Sequence, residues 1–134
     1  MTGTQFLDWE SWADMVVAAL DGLADTRRQQ MAWTSSGRIF HADPSELCCQ
    51  LLDDALFEDF IERYEADLGP DFTRQAREVL RAAETFADAR LASAAAVLTN
   101  ADWKLLCSRA ALLMAELDML LQHEDNGTAA SGGS

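Results

Sequence analysis

The sequence predicts an all-α chain, folded as a single-domain antiparallel four-helix bundle with one long loop at about residues 34–43. Three observations predict it. Only 2 Pro and 7 Gly among 134 residues leave long stretches without helix breakers. Apolar residues recur at three- and four-residue steps in four stretches, and none alternates as a half-buried strand would. Two of the three links between those stretches are very short, which forces their neighbours to run antiparallel. At 49% hydrophobic residues, a chain of this length can bury one core without metal or disulfide staples.

The first segment is expected to run from about Gln5 to Trp33, with Thr4 as its cap. Trp9, Trp12, Val16, Leu20 and Leu23 form one apolar face. Gly22 lies inside it, marking either a kink or the close approach of another helix. The long loop follows, with Gly37 suited to ending the helix and with Ile39 and Phe40 too apolar to be left in water. The second segment carries a strong start signal: Asp43 as cap, Pro44 in the first turn and Glu46 three residues on. Leu47, Leu51, Leu52, Leu56, Phe60, Tyr64 and Leu68 make its buried face, and Gly69-Pro70 ends it.

The third segment starts near Asp71 and buries Phe72, Ala76, Val79, Leu80, Ala83, Phe86 and Leu91 before fading into an Ala-rich stretch. Thr99 and Asn100 are cap candidates for the fourth, which runs to about His123 through Trp103, Leu106, Ala110, Leu113, Leu117 and Leu120. Gly127 is expected to close it. Residues 1–126 then form the helical domain and 127–134 a flexible tail.

Net charge is −13, which opposes sequence-independent nucleic-acid binding and attachment to anionic membranes, both of which run on Lys and Arg. It favours a basic protein partner, because long-range attraction speeds that encounter. The acidity is concentrated. Residues 44–68 hold Glu46, Asp53, Asp54, Glu58, Asp59, Glu62, Glu65 and Asp67 against Arg63 alone. On an unbroken helix Asp54, Glu58, Glu62 and Glu65 fall within an arc of about 80°. Like charges at this spacing repel by a few tenths of a kcal/mol per pair, so a chain selected for stability alone would intersperse cations. The pattern also fits an ordinary solvated face, or an acidic stripe neutralised by Arg74, Arg77 and Arg81 on the next segment.

Signatures of catalysis are sparse. The chain has no Gly-rich phosphate loop, GxSxG elbow, HExxH or CxxC. Arg38 and His41 are too close together for the Arg–His spacing of helical HEPN-type ribonucleases. His123 suits the negative end of a helix dipole. Glu62-x-x-Glu65 loosely resembles half of the metal motif of all-helical nucleotide pyrophosphohydrolases, but the Glu-x-x-Asp expected on the next helix is missing. No metal or other cofactor is therefore expected. Cys48, Cys49 and Cys107 read as packed thiols in a reducing compartment rather than a disulfide framework. No export signal is evident, so a cytoplasmic location is expected.

These residues predict a non-enzymatic acidic helical protein that binds and masks a basic partner. Inhibitors of nuclease toxins, such as bacterial immunity proteins, share that physical type, though no sequence motif links this chain to them. The expected contact residues are Asp54, Glu58, Glu62 and Glu65, with Phe57 and Trp33 as apolar anchors. The alternatives are a small metal-dependent hydrolase using carboxylates of the second and third segments, a chaperone or adaptor, and an architectural homodimer.

Overall fold

The structure, a computed structural model, describes residues 8–34, 43–88 and 94–133, with side chains described up to 122. Every regular element among them is a helix. They are α1 (Trp9–Ala24), α2 (Thr26–Thr34), α3 (Pro44–Cys49) continuing as a π-helical turn (Gln50–Asp54), α4 (Phe57–Leu68), α5 (Pro70–Asp88), α6 (Ala94–Val97) and α7 (Ala101–Gly133). α1 packs most extensively on α7. α5 packs on α7 and also covers α3 and α4. Between them lies one core, whose largest fully enclosed side chains include Trp103, Phe57, Phe60, Leu20, Leu23 and Leu51.

Two of the four expected long segments are broken. The first divides at Asp25, whose backbone leaves the helical region at φ −82°, ψ 71°. Asp25 then caps α2, accepting from the Arg28 amide at 3.0 Å. Gly22 is not the break. A Cβ there would sit 3.1 Å from Leu47 Cδ2, so this glycine marks the close approach of α3. Asp8 caps α1, accepting from the Ser11 amide at 2.7 Å, so α1 begins at Trp9, while the expected start at Thr4 and Gln5 lies outside the described residues. This hydrogen bond holds the exposed Asp8 carboxyl below its ordinary range.

The second segment begins as expected, with Asp43 accepting from the Glu46 amide at 2.8 Å and Pro44 in the first turn. It then widens into the π turn and stops at Leu56, a left-handed residue at φ 52°, ψ 53°. That conformation costs a non-glycine residue about 1–2 kcal/mol. Leu56 is partly buried against the core, which offsets the cost. Three backbone groups at the break have partners. The Ala55 amide donates to Gln50 O at 2.9 Å, the Ala55 carbonyl accepts from the buried Trp12 Nε1 at 2.7 Å, and the Leu56 carbonyl accepts from the Phe60 amide at 2.9 Å. An indole from α1 thus takes the place of the missing helical donor.

The remaining boundaries follow local chemistry. Gly69, at φ 89°, ends α4, and Pro70 opens α5. Asn100, rather than Thr99, caps α7, accepting from the amides of Asp102 and Trp103 at 2.8 and 3.1 Å. The backbone of α7 runs through Gly127 to Gly133, where closure and a tail were expected. Glycine can remain right-handed at a cost of about 1 kcal/mol, and no proline follows to force a stop. Gly37, Arg38, Ile39, Phe40, His41 and Leu91, and the His123 side chain, lie outside the described residues. No helix among the described residues is long and apolar enough to cross a membrane.

Candidate functional site

α4 is divided lengthwise. Its inner face inserts Phe57, Phe60, Ile61 and Leu68 into the core. Tyr64 completes an aromatic cluster with α1: Trp9 stacks on Phe60 at 5.6 Å, and Trp9 and Trp12 meet Tyr64 edge-on at 4.8 and 5.9 Å. These ring contacts fix the rotation of α4 and so decide what its outer face presents. That face carries Glu58, Asp59, Glu62, Arg63, Glu65 and Asp67, all exposed.

Of the stripe expected from the sequence, Glu58, Glu62 and Glu65 are all exposed on α4, with Glu58 and Glu62 one turn apart and Glu65 just beyond the bend where Tyr64 departs from helical geometry at φ −115°, ψ 20°. Asp54 is exposed but belongs to the π turn, before the left-handed break. A uniform 100° per residue does not carry across that joint, so Asp54 is not in phase with the other three. Phe57 is not a surface anchor: it is fully enclosed, because the break turns it inward at the start of α4. Trp33 is half-buried and packs on Trp103 of α7 at 5.9 Å, which ties it to the α2–α7 side of the core.

Self-neutralisation of the acidic face is not observed among the described residues. Arg74 lies 3.5 Å from Asp71 on its own helix, and Arg109 of α7 lies 3.5 Å from Glu78 of α5. Neither pair reaches α4. Arg63 lies over the Tyr64 ring, its guanidinium carbon 5.2 Å from the centroid. No group of three or more His, Cys, Asp or Glu side chains among the described residues is arranged to hold a metal ion.

The thiols are packed rather than poised. Cys48 and Cys107 are buried, and burial pushes their pKa values up to about 12 and about 11. Cys49 is half-buried, and its pKa is raised chiefly by desolvation and then by the nearby Asp53 charge. A thiolate nucleophile needs the opposite environment.

A second feature was not anticipated from the sequence. Gln29 is fully buried beneath a cavity of about 620 Å³ between α2, α6 and α7. Its amide nitrogen donates to the carbonyls of Gly22 and Leu23 at 3.0 and 2.9 Å, and its oxygen accepts from Trp103 Nε1 at 3.1 Å and the Cys107 thiol at 3.8 Å. On an unbroken first helix Gln29 would lie about 120° from Leu23, well away from the apolar face. The break at Asp25 re-phases α2 and turns Gln29 inward. Comparison with family models, curated proteins and solved structures gives no match.

Proposed function

We propose that this chain is a non-enzymatic acidic helical protein that docks a basic protein partner on the outer face of α4. In this proposal the long helices act as an antiparallel bundle that holds α4 rigid, and the protein works in the cytoplasm as an inhibitor-like mask for a cationic surface. The observation that supports it is the uncompensated row of Glu58, Glu62 and Glu65: exposed, outside both ion pairs, and beside an Arg63 turned onto Tyr64. Such a row raises the encounter rate with a positive surface by about 10-fold or more at low salt.

The test is a Glu58→Gln/Glu62→Gln/Glu65→Gln variant. Circular dichroism should show unchanged helicity, since all three side chains face water. With a cationic protein captured by the wild type, stopped-flow association should slow by about 10-fold and lose most of its salt dependence. Equal association rates for the two proteins across a salt series would refute docking through α4.

A further inference from the structure

α7 is apolar on two opposite sides. Its inner side, through Trp103, Leu106, Ala110, Leu113 and Leu117, is buried in the core. Its outer side exposes Leu105, Leu112 and Met119, at 49%, 60% and 68%. These are three of the five exposed large apolar residues among the described residues, and they stand seven apart. On a helix this spacing keeps them within an arc of about 40°. Ser108 and Ala115, small and exposed, fall between them. A seven-residue apolar repeat is the pattern of a helix seam and, unlike a broad amphipathic face, is matched by another helix of the same kind.

The flanking charges select the occupant and its direction. Lys104 and Arg109 (the latter also 3.5 Å from Glu78 of α5) lie beside the first half of the stripe, with Asp102 at its start, and Glu116 and Asp118 beside the second, so the first half is net positive and the second net negative. Lys104 is the only lysine of the chain. A parallel copy would place cations against cations and carboxylates against carboxylates, whereas an antiparallel copy places each against its opposite, twice, as two-fold symmetry requires. Beside Met119 and Leu120 a groove of about 370 Å³, closed by Leu68 and Phe72, offers apolar space where the second copy's stripe would end. An anionic bilayer suits the stripe poorly, because Asp102, Glu116 and Asp118 border it.

We propose that the outer stripe of α7 pairs with the same stripe of a second copy, antiparallel, to form a homodimer. The seam from Ala101 to Gln122 is about 32 Å long, so the contact is small. This inference is independent of the docking face on α4.

Sedimentation equilibrium of the full chain over a concentration series tests it. The mass should rise from 14.7 kDa towards twice that value. Leu112→Asp should weaken dimerisation by at least about 100-fold with helicity retained, because the change enters the interface twice. Met119→Asp provides the same reading should Leu112→Asp fail to fold. Direction is read by mixing Leu105→Cys and Met119→Cys chains in a Cys49→Ser background and oxidising them. Cross-links between 105 and 119 should exceed those between like positions. A monomer at every soluble concentration overturns the proposal, as does a dimer indifferent to both Asp variants. A majority of like-position cross-links overturns the antiparallel arrangement.

Discussion

At the residue scale, Gln29 carries more of the structure than any other polar side chain described. It satisfies two carbonyls at the end of α1 and orients the Trp103 indole, while remaining sealed from water. Gln29→Ala leaves these partners without their bonds and opens a void, so it should cost about 2–4 kcal/mol in urea unfolding. An unchanged midpoint would mean that water replaces the amide. The buried thiols make a second prediction, on pH. Below pH 9, the ordinary value, both states hold their thiol protons and this contribution to stability is complete. Above it the unfolded chain ionises first, since burial holds Cys48 and Cys107 near 12 and 11. Stability should therefore fall by about 1.4 kcal/mol per pH unit for each thiol until the folded pKa is reached. Melting curves from pH 8 upward would reveal it, and a flat profile between pH 9 and 11 would contradict the burial.

At the element scale, sequence signals marked starts and stops more reliably than continuity. Asp43, Pro44, Gly69, Pro70 and Asn100 act where their side chains or backbone preferences suggest. The break at Leu56 was illegible because its cause is remote: leucine has no left-handed preference, and the missing backbone donor is supplied by Trp12, 43 residues away. The same limit hid Gln29, whose inward turn depends on the Asp25 break. It also misplaced Phe57 and Asp54, since a single helical phase was carried across a joint that resets it. Of the candidate site, the three glutamates of α4 were legible because exposure and charge are local properties. Gly22 offers an element-scale prediction. Gly22→Val forces a branched side chain against Leu47, which is itself buried, so it should destabilise by about 1–3 kcal/mol despite the gain in helix propensity. A more stable variant would show that α1 and α3 have room to separate.

At the scale of the whole molecule, 23 acidic residues face 10 basic ones, and only two ion pairs join them among the described residues. Mutual repulsion then opposes compaction and is relieved by dissolved ions. The melting temperature should rise between low salt and about 0.5 M sodium chloride, where the screening length falls below about 5 Å. A falling melting temperature would mean that attractive pairs dominate. The all-helical class was legible at this scale because it follows from apolar periodicity and the scarcity of helix breakers. The number of rods was not, because a break consumes only one or two residues and leaves the composition of its flanks unchanged.

The bond from the Trp12 indole to the Ala55 carbonyl has a practical consequence. It joins α1 to the joint where the acidic helix begins, and the rings of Trp9 and Trp12 pack directly against Phe60 and Tyr64 of that helix. Any force that tilts α4 must move an indole against its acceptor and its stacked neighbours. The chain thus carries its own optical gauge, and a shift in native tryptophan emission would register a load on the glutamate ridge without any added dye.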